Sequence, residues 1–177
     1  MSFGQQVEMI FKMLSFMLPF LLLAVIIGLI SAIPSYIRNN RLKNAGILDT
    51  DTMDGIEFED WLKHRFKEMG YRVQTTPRTG DGGADLILTG RNGERIAVQA
   101  KKSAKQNIGV KAIDEVLRGI RVHDCDRAMV VTNQYYTDQA KRDAKKCNIE
   151  LWNRDDLLER IEIFKKAKQQ LANKKTG

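Results

Sequence analysis

Residues 80–101 read GDGGADLILTGRNGERIAVQAK, and their pattern decides the architecture. Two apolar runs, ADLILT and RIAVQAK, flank Gly90-Arg91-Asn92-Gly93, a turn-forming tetrapeptide that predicts a β-hairpin. Core strands favour Val, Ile and Thr, yet this hairpin opens with Asp85 and closes with Gln99 and Lys101. Side chains alternate along RIAVQAK, so Ile96, Val98 and Ala100 face one way and Ala97, Gln99 and Lys101 the other. Antiparallel pairing sets Asp85, at the start of its strand, beside the end of the neighbouring one. Three polar groups distant in sequence are therefore expected to converge.

Upstream, Phe58, Trp61, Leu62, Phe66 and Met69 recur at helical spacing and form one apolar stripe. Asp54 can cap that helix and Gly70 stops it. YRVQTT predicts a strand and PRTGDGG a loop, whose glycines permit a tight turn and whose Asp81 can bond to the turn's backbone. Downstream, VKAIDEVLRGI predicts an amphipathic helix and RAMVVT a buried strand. TDQAKRDAKKC predicts a helix capped by Thr137, and IELW another short strand. A last helix starts near Asp155 or Asp156 and runs into the basic tail KKAKQQLANKKTG. The order α-β-β-β-α-β-α-β-α predicts an α/β fold, a mixed β-sheet flanked by helices. On the first of these helices Glu59 falls about 20° from Phe66 at 100° per residue, so it leans toward the sheet. Glu57 sits at the other edge of the stripe, nearer Trp61, and is the second choice.

These residue types suit phosphodiester hydrolysis, which needs a nucleophilic water and relief of the charge that builds on the phosphate. A divalent ion held by Asp85, the Gln99 side-chain oxygen and the Ala100 carbonyl supplies both. Lys101 adds a fixed positive charge that orients the attacking water or stabilises the pentavalent state. Glutamine brings no charge to a metal; Glu59 can restore it, directly or through a bound water. His64 and His123 are the only histidines, Cys125 and Cys147 the only cysteines, and no C-x-x-C spacing occurs. That excludes zinc and His-rich sites and leaves oxygen ligands, which favour Mg²⁺, with Mn²⁺ as the alternative. The bland reading is that Asp85 caps the GDGG turn and that Gln99 and Lys101 are edge-strand polar residues. Spacing alone does not separate the two. GDGG is not a P-loop, because no Gly-Lys-Ser/Thr ending or helix follows it.

In that order, GIEFEDWLKHRFKEMGYRV, TPRTGDGGADLIL, RIAVQAKK and RAMVVTNQYYTDQAKRDAKKCNIELW resemble the Mrr-type restriction endonuclease domain of the PD-(D/E)XK nuclease superfamily. The resemblance covers residues 54–158. It implies the restriction-endonuclease-like fold and a metal-dependent DNA endonuclease. The aspartate after the Gly-rich loop is then Asp85, and Gln99 and Lys101 form a Gln-x-Lys in place of Glu-x-Lys. The helix glutamate that follows a phenylalanine is Glu59. Ala100 stands where many members carry cysteine, on the side of the strand turned away from the chemistry.

The chain carries 29 Lys and Arg against 22 Asp and Glu, a net charge of +7 that favours an anionic partner such as nucleic acid or a phospholipid surface. Lys102 and Lys105 follow the site directly and are expected to meet DNA phosphates. Lys141, Arg142, Lys145 and Lys146 form a basic helix face that is equally well read as DNA-binding or simply solvated. Thr132, Asn133 and Gln134 end a strand and either reach substrate or form a turn. Cutting both strands with one site per chain calls for a homodimer, which no residue pattern specifies.

From Met13 to Ile37 no residue is charged, and LPFLLLAVIIGLISAI is almost continuously apolar. As a helix this stretch can cross a hydrocarbon core of ~30 Å, which takes about 20 residues, and Pro19 and Gly28 are tolerated there. The preceding MSFGQQVEMIFK has no basic cluster, and no A-x-A-like site follows cleanly, which favours an anchor over a cleaved signal peptide. Arg38, Arg41 and Lys43 follow the span and only Lys12 precedes it. The positive-inside rule then predicts a single-pass cell-membrane protein with its C-terminal domain in the cytoplasm. Both cysteines are expected there as buried, reduced thiols. The expected organisation is a short segment 1–12, a transmembrane helix 13–37, a juxtamembrane linker 38–53, an endonuclease domain 54–163 and a basic tail 164–177. An anchor removes free diffusion to invading DNA, so two alternatives stand beside restriction: a non-catalytic DNA-tethering module, and a nuclease acting on RNA or branched DNA.

Overall fold

The structure, a computed structural model, describes residues 3–77 and 82–176. Residues 78–81 of the expected PRTGDGG loop, Asp81 among them, lie outside the described residues. The chain divides into two compact units, residues 1–41 and 42–177. The first is helical: α1 (Phe3–Asn44) contains both Pro19 and Pro34. Its stretch Phe11–Asn44 is 34 residues long and, among the described residues, the one helix long and apolar enough to cross a membrane. Large apolar side chains from Leu14 to Ile37 are exposed along it.

The second unit follows the expected order. A 3₁₀ turn (Leu48–Asp51) leads to α2 (Gly55–Glu68), β1 (Arg72–Thr75), β2 (Leu86–Thr89), β3 (Arg95–Lys101), α3 (Lys111–Val122), β4 (Arg127–Thr132), α4 (Asp138–Lys146), β5 (Glu150–Trp152) and α5 (Arg154–Thr176). The five strands form one mixed sheet in the order β1-β2-β3-β4-β5. The first two pairings are antiparallel and the last two parallel. The hairpin closes at Gly90–Gly93, where the Gly93 N–H donates to the Gly90 carbonyl at 3.1 Å and Gly93 takes the positive φ that glycine accepts without strain.

Alternation along the strands separates two cores. Leu86, Leu88, Ile96, Val98, Met129, Val131 and Trp152 pack against Phe58, Trp61, Leu62 and Phe66 of α2 and Leu157 of α5. On the other face Ile87, Ala97, Ala128 and Val130 pack against Ala112, Ile113 and Val116 of α3 and Ala140 and Ala144 of α4. The apolar stripe of α2 is buried as its spacing predicts, and Met69 packs against it part-buried.

Within the expected linker 38–53, α1 runs on to Asn44, a 3₁₀ turn spans Leu48–Asp51, and Leu42, Thr50 and Met53 are buried. Trp61 Nε1 donates to the Ala45 carbonyl at 3.0 Å, and the buried Arg65 guanidinium donates to the Leu42 and Lys43 carbonyls, satisfying acceptors that the end of a helix leaves unpaired. The expectation of two buried thiols needs correction. Of the two cysteines, both free, only Cys125 is buried; Cys147 caps α4 and is exposed, because the short helix turns its Ala140 and Ala144 face inward and ends there.

Candidate active site

Strands β1, β2 and β3 meet at one end of the sheet, and that end is built around Asp85. The Asp85 N–H donates to the Val98 carbonyl at 2.8 Å, and its own carbonyl accepts from the Thr76 N–H at 3.1 Å, so the residue is fastened to both neighbouring strands. The pairing of Leu86 with Val98 brings Asp85 opposite Gln99, as the hairpin pattern requires. The carboxylate folds back over β3: its Oδ2 accepts from the Ala100 N–H at 2.8 Å and from Gln99 Nε2.

A cleft of about 510 Å³ opens at this point. Its walls include Glu59, Asp85, Gln99 and Lys101, the four residues expected from the sequence, together with Asp60, Lys63, Thr76, Glu115 and Arg118. Because α2 covers one face of the sheet and α3 the other, walls drawn from both place the cleft at the end of the sheet. Of the two candidate glutamates, Glu59 lines the cleft and Glu57 takes part in a cap. The Glu57 carboxylate accepts from the Asp54 N–H at 3.3 Å while Asp54 Oδ1 accepts from the Glu57 N–H at 2.7 Å, a capping box that commits Glu57 to the helix start.

Burial pushes the Asp85 carboxyl above the usual aspartate range; the Ala100 N–H and the nearby Lys101 ammonium pull it back down, and Glu115 pushes it up again. A further cation beside this buried carboxyl would favour its charged form. Gln99 is 6% exposed, and its Nε2 sits between Asp85 Oδ2 and the Ala100 carbonyl, 3.5 Å from the latter. Both oxygens face the amide –NH₂, which offers two donors but no net charge. Which end of an amide points inward follows its partners, and the opposite end offers an oxygen. The donor set of carboxylate, amide and backbone carbonyl fits a hard divalent cation. Among the described residues no three His, Cys, Asp or Glu side chains cluster at metal-binding distance, so an ion here rests on that mixed set.

Glu115 was not singled out from the sequence, although a signal was present. Ala112, Val116 and Gly119 are buried on α3, and Glu115 falls on the same face at i+3, an acidic residue inside an apolar stripe. It forms an ion pair with Lys101. The helix approaches through two glycines. A Cβ on Gly83 would lie 2.2 Å from the Glu115 carbonyl oxygen and 2.7 Å from the Gly119 nitrogen, and one on Gly119 would lie 2.6 Å from the Gly83 carbonyl oxygen. Gly83, at φ +71°, also adopts a conformation that other residues rarely take.

The Mrr_cat restriction endonuclease family matches residues 50–161. The chain belongs to that family. No curated protein matches at a significant level. Among solved structures, the Mrr_cat domain resembles the DNA modification-dependent restriction endonuclease AspBHI with a TM-score of 0.52 and 20% identity, over 68% of this chain and 34% of that one. A repair endonuclease from Pyrococcus abyssi aligns with a TM-score of 0.45 and 15% identity, over 57% of this chain and 46% of that one. MspJI restriction endonuclease, solved in complex with a 27-mer oligonucleotide, aligns with a TM-score of 0.37 and 20% identity over 52% of this chain and 23% of that one. The chain therefore spans less than half the length of each of these three proteins. At such identities the likeness to AspBHI is one of fold.

In this Mrr_cat domain the expected DNA-facing cations divide into two groups. Lys102 lines a shallower groove of about 310 Å³ that shares Lys101 and Glu115 with the main cleft, and Lys111, Gln106 and Asn107 also border it. Lys105 is exposed on the same loop. The cations of α4 do not line either cavity. Lys141 and Lys146 instead face Asp138 and Asp143 at 3.6 and 3.7 Å, and Arg142 donates to Gln139 at 2.7 Å. Asn133 is fully buried: its side chain accepts from the Ser103 N–H at 2.9 Å and donates to the Ser103 carbonyl at 3.0 Å. Between the two expectations for this segment, Asn133 serves the turn, and it pins the chain two residues past Lys101.

Proposed function

We propose that this chain is a membrane-anchored, divalent-metal-dependent DNA endonuclease, with its nuclease domain in the cytoplasm. The observation that carries the reading is the single cleft in which Asp85, Gln99, Lys101 and Glu59 come together at the end of the sheet. Asp85, the Gln99 side-chain oxygen, the Ala100 carbonyl and Glu59 would hold Mg²⁺ or Mn²⁺. When bound, the ion supplies a nucleophilic water at neutral pH and neutralises charge on the phosphate. Lys101 presents a cation to the scissile phosphate, where charge develops during displacement. Lys102 and Lys105 hold neighbouring phosphates, with affinity that falls as salt rises. The α4 cations Lys141, Arg142 and Lys145 are a more distant basic face for the same polyanion.

Apolar length and flanking charge support the anchor. Lys12, the one cation before the span, is offset by Glu8 at 2.9 Å, while Arg38, Arg41 and Lys43 follow it, which orients the C-terminal domain to the cytoplasm. Restriction of foreign or modified DNA is the role in keeping with the family, and double-strand cutting would use a homodimer. The test is Lys101→Ala. Plasmid cleavage should fall by about 100-fold or more, while thermal unfolding stays cooperative within a few degrees of the parent. Full cleavage by a folded Lys101→Ala protein would remove Lys101 from the chemistry.

A further inference from the structure

Lysine is a compact charge on a flexible four-carbon stem, and nothing in that stem aims it. Lys101 lies at the last position of β3, where the ladder of the sheet ends. An ammonium that must meet a phosphate in one orientation needs a second anchor. The structure supplies one: the Lys101 Nζ is paired with Glu115 Oε2, their side chains 31% and 22% exposed. Most pairs of this kind are surface decoration of little energetic consequence. Three features set this one apart. Glu115 occupies the apolar face of α3, where an acidic group costs desolvation that a leucine would not. The pair is shared by the main cleft and the adjoining groove. And the Glu115 backbone packs closely against Gly83, two residues before Asp85, so the backbones that carry the carboxylate and the candidate metal ligand are joined by one close contact.

We propose that Glu115 is a positioning residue that aims the Lys101 ammonium into the cleft. An ammonium has three N–H donors; held by its ion pair with Glu115, it keeps donors for a phosphate oxygen or the attacking water. The cation is then pre-oriented, which is the condition under which a charge stabilises a transition state most effectively. Glu115 needs no contact with substrate for this. The role rests on reading the cleft as a nuclease site.

The experiment compares the full chain in detergent with Glu115→Gln and Glu115→Asp. Two readouts are taken: DNA cleavage with Mg²⁺, and, without metal or DNA, the rate at which each lysine is acylated by an amine-reactive ester, followed by peptide mass spectrometry. Glu115→Gln should lower kcat by about 10- to 100-fold with KM little changed, and Glu115→Asp should recover part of the loss. Lys101 should acylate several-fold faster in Glu115→Gln, while Lys63 and Lys102 label at the parental rate. Unchanged Lys101 labelling would overturn the anchoring. Faster labelling with undiminished kcat would overturn the positioning role and leave a packing contact. A parent chain that cuts no DNA would remove the nuclease reading, and this role with it, whichever way the labelling falls.

Discussion

Asp85→Asn should abolish metal-dependent cleavage, by on the order of 10³-fold, and yet make the domain more stable, raising Tm by about 3 °C. Both effects come from the same buried carboxylate. Its Oδ2 accepts from both the Ala100 N–H and the Gln99 amide, and an asparagine oxygen in the same place keeps both bonds. What the substitution removes is a charge that burial disfavours. The sign follows from linkage: the folded-state pKa of Asp85 lies above its unfolded value, so the folded protein binds this proton more tightly. The residue therefore favours folding at low pH, and that contribution is lost as pH rises through its unfolded and then its folded value. At neutral pH the charged form is a net cost, and asparagine relieves it. The stability gain should disappear in parallel scans well below the usual aspartate pKa, where the parent carboxyl is also neutral. A lower Tm for Asp85→Asn at pH 7 would show that the hydrogen bonds to the carboxylate outweigh its burial.

Gly83→Ala should cost about 3 kcal/mol or more and lower Tm by about 10 °C. The new methyl would meet the Glu115 carbonyl oxygen at 2.2 Å and the Gly119 nitrogen at 2.7 Å, and φ is +71°. Both atoms are backbone of a helix packed on the sheet, so neither yields without moving α3. Gly93→Ala is the matched control. Its φ is +86°, but nothing lies within 4 Å of the added carbon, so it should cost only the backbone strain, about 1 kcal/mol. Equal losses in thermal melts of the two variants would refute the close helix approach. A displaced α3 also carries Glu115 away from Lys101, so the folded fraction of Gly83→Ala should cut DNA poorly.

Much of the site was legible because it depends on local period and turn chemistry. A hairpin signal and strand alternation sufficed to bring Asp85 beside Gln99 and to put Gln99 and Lys101 on one face. Glu57 could also have been read: Asp54 and Glu57 have the three-residue spacing of a capping box. Glu115 stands out as an acid inside the apolar stripe of α3, but its partner needed tertiary information: only the packing of that helix on the sheet brings it to Lys101. The contacts made by the linker segment 38–53 were hidden for a similar reason. Its polar composition resembles a linker, but its carbonyls are taken by Trp61 and Arg65, between 16 and 23 residues away in sequence. Asn133 hid behind the same ambiguity, since an amide at a strand end looks alike whether it pins a neighbouring loop or faces a ligand.

Hydrolysis of DNA by this cleft with a divalent ion is tested by incubating the full chain, purified in detergent, with supercoiled plasmid in Mg²⁺ or in EDTA. Methylated and unmethylated plasmids are run in parallel. Nicked or linear product is expected in Mg²⁺ on at least one plasmid, and none in EDTA. Plasmid that is bound yet stays supercoiled on both templates, with Mg²⁺ and again with Mn²⁺, would refute the nuclease reading and leave a DNA-tethering module built on a nuclease fold.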